Sequence, residues 1–348
     1  MSEVRLAQRH GHEFTAILGL GDFRPAHVVP NSEIVEAIDS TDEWIQERSG
    51  IAARRLASAE ETVVTMSAQA ARAALADAGL APTEIDLVLV ATITHPWQTP
   101  AAAPMVAHEI GATGAAAYDV GAACAGFCYG LAVADDAIRA GSATHVLVIG
   151  TEKFSDFRDP HDRTTAFIFG DGAAAAVVGP SDTPGISASL LGADGAGAMQ
   201  IAQTRDWTAV RHDWEGMRDT GELPSELAPF PSIGMEGPAV FRWAVTHVAT
   251  VAGEVLRTAG IAAEDLDVFV PHQANVRIID AMVKRMHLPE HVIVARDDLV
   301  DMANTSAASV PLALARLRRE GRAKSGDLAL LLGFGAGLAW AGQVVRVP

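Results

Sequence analysis

Asp119-Val120-Gly121-Ala122-Ala123-Cys124-Ala125-Gly126-Phe127-Cys128-Tyr129-Gly130-Leu131 crowds small residues around one thiol. Downstream, Phe127, Leu131, Ala134 and Ile138 recur at helical spacing, and Gly141 stands where a C-cap is expected. Upstream, Ala115 to Val120 reads as a strand feeding that helix. Cys124 therefore falls at a strand-to-helix junction, at the positive end of a helix dipole. That position is expected to lower the thiol pKa and favour the thiolate. The small neighbours let a substrate backbone or thioester come close. Free cysteines more often simply pack, and Cys128, one turn on, is read as one of these.

The 348 residues are 49% hydrophobic, enough for a sizeable core and for two domains or one large one. Two cysteines in one predicted helix exclude a disulfide framework and suit a reducing compartment. A net charge of -17 argues against nucleic acid as a partner, while leaving room for an acidic partner on a local basic patch. Met1 to Glu13 is polar and lacks the apolar core of a signal peptide, and no apolar run spans a bilayer uninterrupted. No membrane association, no metal site and a cytoplasmic location are expected.

Along the chain, Phe14 to Leu20 reads as a strand and Arg24 to Pro30 as a loop. Helices open at Asn31 and at Ser40-Thr41, the second closing at Gly50, and Thr62 to Ala78 is a long amphipathic helix. Ile85 to Thr92 is a buried strand, Thr94 to Pro104 a loop, Met105 to Ile110 helical and His145 to Gly150 a strand. Ala166 to Val178 is strand-like, its Gly170-Asp171-Gly172 pointing to a bulge or close backbone approach. This alternation implies an α/β fold with largely parallel, buried sheets. Ala78-Gly79-Leu80 with its sequel to Leu89 parallels Ala259-Gly260-Ile261 with its sequel to Val270, and Arg139-Ala140-Gly141 parallels Arg319-Glu320-Gly321. The chain thus reads as two pseudo-symmetric halves, with Cys124 equivalent to about Asn304. The expected divisions are an extension (1–13), an N-terminal half (14–180), an irregular connecting segment (181–238) and a C-terminal half (239–348).

Three segments of the second half carry unusual polar residues. His272 ends an apolar strand in Val270-Pro271-His272-Gln273-Ala274-Asn275-Val276-Arg277. Asn304 lies in Ala303-Asn304-Thr305-Ser306-Ala307-Ala308-Ser309, which taken alone is also good helix-cap sequence. Gly333-Phe334-Gly335-Ala336-Gly337 is a turn between strands that could aim N–H groups at an oxyanion. No helix clearly follows it, so it is not a dinucleotide fingerprint.

Together with Thr41-Asp42-Glu43-Trp44-Ile45, Arg48, Gly50-Ile51 and Phe169-Gly170-Asp171-Gly172-Ala173, these segments make the chain resemble the β-ketoacyl-acyl-carrier-protein synthase III family, of the thiolase fold. The resemblance runs from about Phe14 to Val347. It implies packed mixed sheets in layers of helix and sheet, and a condensation that starts fatty-acid or polyketide chains. Cys124 would attack an acyl-CoA, giving an acyl-enzyme. Malonyl-acyl-carrier-protein would then lose CO₂, with His272 and Asn304 donating to its thioester oxygen. The backbone N–H groups of Cys124 and Ala336 would form a second oxyanion site. Trp44 and Arg163 match residues that sandwich the coenzyme A adenine. Arg48 and Arg277 match phosphate or pantetheine contacts, and Gly237 and Asn275 match tunnel positions. Arg242, Arg277, Lys284 and Arg285 match a patch for the acidic carrier protein.

Phe169 and Thr99 match the acyl pocket. The loop Trp97-Gln98-Thr99-Pro100 would reach it across a homodimer. Thr99, where some members have Phe, would leave room for longer or branched chains. No cofactor is implied, since coenzyme A arrives as part of the substrate. Pro238 stands where the family often has Asn, and Ala303 where it usually has Gly. An acyl-transferring relative in specialised metabolism and a catalytically silent partner subunit remain open alternatives. A degradative thiolase is disfavoured, because no second cysteine lies near the Gly-rich turn.

Overall fold

The computed structural model describes residues 9–220 and 230–348; the start of the expected extension and part of the 181–238 segment lie outside the described residues. The first half runs β1 (Phe14–Phe23), β2 (His27–Pro30), α1 (Asp42–Ser49), β3 (Ala53–Leu56), α2 (Val63–Ala78), β4 (Leu87–Ala91), α3 (Ala102–Ile110), β5 (Ala116–Val120), α4 (Gly126–Arg139), β6 (Val146–Glu152) and β7 (Gly172–Ser181). The remainder runs β8 (Leu190–Ala193), β9 (Ile201–Gln203), α5 (Trp207–Thr220), β10 (Ile233–Met235), α6 (Gly237–Trp243), α7 (Ala249–Ala259), β11 (Val268–Pro271), α8 (Val276–Met286), β12 (Ile293–Val294), α9 (Asp297–Met302), α10 (Ser309–Arg319), β13 (Leu328–Gly335) and β14 (Ala339–Arg346).

Local chemistry sets the main boundaries. Thr41 Oγ1 accepts the Trp44 N–H and starts α1, and Gly50, at φ 84°, ends it. Thr62 and Thr65 form a reciprocal cap on α2, which closes at Gly79.

Two five-stranded sheets share one topology. The first has the order β1-β7-β6-β4-β5, and the second β8-β14-β13-β11-β12. Each is mixed rather than largely parallel. β4 runs parallel to β5 and β6, and β11 to β12 and β13, while the β6–β7 and β13–β14 pairs are antiparallel. The reason is connectivity: β7 follows β6, and β14 follows β13, without a crossover helix between them.

α4 and α10 lie between the sheets. Phe127, Leu131 and Ile138 on α4 and Val310, Leu314 and Leu317 on α10 share one core with residues from both sheets. α2 and α3 cover the outer face of the first sheet, and α7 and α8 that of the second. The layers are helix, sheet, helix, sheet, helix. Arg24 ties the halves together, bonding both Asp298 carboxylate oxygens (2.7 and 3.1 Å) and the Leu312 carbonyl (2.9 Å).

Each half also braces the other through one glycine. A Cβ on Gly333 of β13 would lie 2.8 Å from Ala125 Cα, and a Cβ on Gly150 of β6 would lie 2.2 Å from the Ala307 carbonyl oxygen. The turn before α4 thus presses on the second sheet, and the turn before α10 on the first. The two turns match in backbone, with Ala123 at φ 43° and Ser306 at φ 46°, each opening a 3₁₀ turn ahead of its helix. This corrects the internal alignment: Cys124 is equivalent to Ala307, not Asn304. The helices are of unequal length, so matching their C-terminal ends misplaces their starts by one turn.

Other expectations change locally. His27 to Pro30 is a strand paired with β3, not a loop, and only Val29 faces inward, too few residues to show a period. The helix expected at Asn31 is a single 3₁₀ turn. α3 starts at Ala102 and takes Pro104 into its first turn, where a missing N–H leaves no helical bond unmade. The strand expected from Ala166 starts at Gly172, and Gly170 does serve a close approach, its Cβ position being 2.2 Å from the Met302 carbonyl oxygen. β8 comes from the segment expected to be irregular, yet forms an edge of the second sheet; its four residues were too short to stand out.

Candidate active site

Cys124 is the middle residue of the 3₁₀ turn Ala123–Ala125, just ahead of α4, and is buried. Its side chain approaches the Gly-rich turn so closely that a Cβ on Gly335 would lie 2.7 Å from both its Cβ and its Sγ. Only a residue without a side chain fits there.

The expected low thiol pKa is not what this environment produces. Burial pushes Cys124 up to about 11, opposed by a hydrogen-bonding contact from the Ser306 side chain, reinforced by the charge of Glu152, and opposed again by the N–H groups of Ala336 and Cys124. Desolvation of the thiolate outweighs the helix terminus. Cys128 is a buried packing residue, its thiol pushed up to about 12 by burial.

His272 follows the last residue of β11, and its imidazole meets the Phe334 ring edge-on at 5.3 Å. Its Nδ1 lies 2.6 Å from Ser309 Oγ, which also accepts the Gln273 N–H at 3.4 Å. With that N–H on its oxygen, the Ser309 hydroxyl is free to donate to Nδ1. This arrangement fits a neutral ring with its proton on Nε2, the tautomer that an oxyanion donor requires. Burial pulls His272 down to about 3, so the ring is neutral.

Asn304 is placed by backbone. Its N–H bonds the Ile168 carbonyl (2.9 Å), and its own carbonyl accepts the Gly170 N–H (3.0 Å). Its Oδ1 accepts the Ser306 N–H at 2.8 Å, which leaves the Nδ2 donors for the cavity.

One cavity of about 530 Å³ joins these groups. Cys124, His272, Asn304 and Ala336 line it, with Trp44, Arg48, Phe169, Gly237, Arg242, Asn275 and Arg277 from the other predicted positions. Phe169 is stacked on Phe154 at 4.2 Å. Asn275 caps α8 through its Oδ1 and donates its Nδ2 to the Arg48 carbonyl at 2.9 Å, so its amide is already committed to the wall. Pro238 joins the lining within the first turn of α6.

Arg163, Thr99, Lys284 and Arg285 lie outside this lining. Arg163 packs its guanidinium 5.6 Å from the Trp44 ring centre and pairs with Asp39 at 3.6 Å. An inserted purine needs about twice a 3.5 Å stacking distance between the flanking groups, so Arg163 must shift outward to admit one. Thr99 is exposed on the loop before α3 and takes no part in lining this cavity. Arg242, Arg277, Lys284 and Arg285 are all exposed, the last three on α8.

Two groups at the site received no role from sequence. Ser309 orients His272, but in the sequence it looks like one more capping hydroxyl. Glu152 ends the apolar strand β6, wholly buried. A lone acid closing a run of buried aliphatic residues was the signal available for it.

Comparison with known proteins fits this geometry. Residues 118–195 match the family described as 3-oxoacyl-[acyl-carrier-protein (ACP)] synthase III, and residues 256–347 match its C-terminal region. The chain is 52% identical to β-ketoacyl-[acyl-carrier-protein] synthase III 1 of Streptomyces coelicolor, over 100% of both chains. The priming β-ketosynthase of the R1128 polyketide biosynthetic pathway superposes with a TM-score of 0.91 at 46% identity, covering 99% of this chain and 98% of that one. The synthase III of Aquifex aeolicus VF5 superposes with a TM-score of 0.84 at 38% identity, covering 95% and 99%. The thiolase-like α/β fold expected from the sequence is the fold found. With a full-length relative at this identity and the same architecture throughout, the chain belongs to the β-ketoacyl-acyl-carrier-protein synthase III family.

Proposed function

We propose that this condensing enzyme joins an acyl-CoA primer to malonyl-acyl-carrier-protein through an acyl-enzyme on Cys124. The convergence of Cys124, His272 and Asn304 on one cavity carries the reading. As the sulfur attacks the primer's carbonyl, the N–H groups of Cys124 and Ala336 are placed to hold the oxyanion that forms, and coenzyme A leaves. Malonyl-carrier-protein then enters. In this reading His272 Nε2 and Asn304 Nδ2 donate to its thioester oxygen while CO₂ departs. The resulting enolate carbon attacks the acyl group and releases Cys124. A neutral His272 suits this task, since it donates a hydrogen bond without placing a fixed cation beside the departing CO₂.

Trp44, Arg48 and Arg277 on the cavity wall are the proposed coenzyme A contacts, joined by Arg163 once it shifts. Arg242, Arg277, Lys284 and Arg285 are the proposed landing site for the carrier protein. A homodimer is proposed because Thr99 is on an exposed loop away from its own cavity, where a partner's pocket gives it a use. A cytoplasmic location follows as a proposal from the reaction. A starter-unit role in polyketide assembly is the second reading, favoured by the likeness to a priming ketosynthase.

Intact-protein mass spectrometry with a panel from acetyl- to dodecanoyl-CoA tests the proposal. Wild type is expected to gain one acyl group, lost again on adding malonyl-carrier-protein, while Cys124→Ala gains none. Preference for acetyl-CoA over all longer primers would remove the roomy-pocket reading of Thr99. No adduct from any primer would point to a carrier-bound primer or to a silent subunit, and would remove the acyl-CoA substrate from the proposal.

A further inference from the structure

Beside the thiol stands a buried carboxyl group that the condensation described above does not use. Glu152 Oε2 accepts from Thr94 Oγ1 (2.7 Å), the Ile93 N–H (3.1 Å) and Thr92 Oγ1 (3.2 Å). Its Oε1 has no aligned partner, and neither has Ser306 Oγ, although both atoms are shut off from solvent. Ser306 lines the cavity together with Cys124, and its turn packs directly on β6, the strand that ends in Glu152, so its hydroxyl lies between the thiol turn and the carboxyl strand without an aligned hydrogen bond to either. The backbone of Ser306 is held at φ 46°, with its N–H fixed on Asn304 Oδ1 at 2.8 Å. A buried carboxyl with one open oxygen is costly to keep, which calls for a reason.

Building on the Cys124 acyl-enzyme, we propose that Glu152 is a positioning residue that stores the thiol proton, exchanging it with Cys124 through the Ser306 hydroxyl. In acylation the Cys124 S–H bond breaks. Its proton passes to Ser306 Oγ, while the Ser306 proton passes to Glu152 Oε1. The sulfur electron pair forms the new thioester, and coenzyme A leaves as a thiolate that takes a proton from water at the cavity mouth. In condensation the enolate carbon displaces Cys124 as a thiolate, and the stored proton returns along the same path. One proton is consumed per turnover, by the departing coenzyme A, as loss of CO₂ from a carboxylate requires.

The other titratable groups around Glu152 are engaged elsewhere or lack partners. Lys153 turns its ammonium to the Ser58 carbonyl (2.8 Å) and Asp156 (3.4 Å), and Asp171 accepts N–H groups of Ala57 and Ser155. His272 is turned to Ser309, and His95, on the loop after β4, has both ring nitrogens buried without a partner. Burial pushes Glu152 up to about 7 against the hydrogen bonds from Thr94, Ile93 and Thr92 and the looser pull of the Ser306 hydroxyl. The proton-accepting carboxylate is therefore gained as pH rises through about 7.

The test is single-turnover acylation of the full chain by the same acyl-CoA panel, followed by quenched mass spectrometry from about pH 5.5 to 8.5. Glu152→Gln and Ser306→Ala are each expected to slow acylation on the order of 10²-fold and to lose the rise across neutrality. The double variant is expected to be no slower than either single one. Ser306→Ala keeps the backbone and the Asn304 contact, so it decides the matter even if Glu152→Gln fails to fold. Acylation of Ser306→Ala within about twofold of wild type, with the rise retained, overturns the relay and leaves the acyl-enzyme intact. A wild type that accepts no acyl group takes both readings away.

Discussion

Cys124, the proposed nucleophile, is held in a state that looks inactive. Desolvation pushes its thiol up to about 11, so little thiolate exists at neutral pH. Alkylation of the free enzyme by iodoacetamide should therefore keep accelerating beyond about pH 9, whereas an ordinary exposed thiol levels off near its pKa of about 8.5. Stopped alkylation assays across pH check this, and a plateau near neutrality would contradict the buried-thiol description. Asn304→Ala removes one oxyanion donor and should lower the condensation rate by about 10²–10³ while leaving the acyl adduct on Cys124. The residue pattern showed where the thiol, imidazole and amide were, because each interrupts a run of small or apolar residues. It did not show the thiol's pKa, which depends on how completely distant segments exclude water.

Turns and helix starts carry the strain of the site. Ala303 sits at φ 57° and ψ -156°, a region almost reserved for glycine, in the position where the family usually has Gly. Relief of about 1–3 kcal/mol of strain is set against the roughly 0.4–1 kcal/mol that glycine's extra freedom in the unfolded chain removes. Ala303→Gly should therefore stabilise the protein by about 1 kcal/mol, which denaturant titration would register as a higher midpoint at unchanged slope. A lower midpoint would mean that the buried methyl group matters more than the backbone. At this scale the sequence was readable where caps and apolar periods are long, as in α1 and α2. It was unreadable where elements are short, as in β2 and β8, whose pairing is decided by strands far away in the chain.

At the scale of the whole molecule, the duplication was legible in the repeated helix-end and strand segments. The exact pairing of the two site turns was not, because it rests on unequal helix lengths. The mixed sheets follow from missing crossovers rather than from any strand's own sequence. Charge acts at this scale too. On a chain of net charge -17, the cationic cluster on α6 and α8, proposed above as the carrier-protein landing site, would guide an acidic partner mainly through its association rate. Arg242→Glu with Arg285→Glu should lower kcat/KM for malonyl-carrier-protein at least about tenfold at low salt. That deficit should shrink as salt is added, while acyl-CoA loading changes little. Equal loss in both half-reactions would assign those arginines to the coenzyme A site instead.

The mutual bracing of the halves by Gly150 and Gly333 bears on how the chain is made. Gly333, against which the Cys124 turn rests, is synthesised more than half the chain after that cysteine. A nascent polypeptide emerging from the ribosome thus carries Cys124, the proposed nucleophile, for most of translation without the surface that shapes its turn. The Cys124 turn can take up its folded surroundings only once β13, which carries Gly333 and Gly335, has been made.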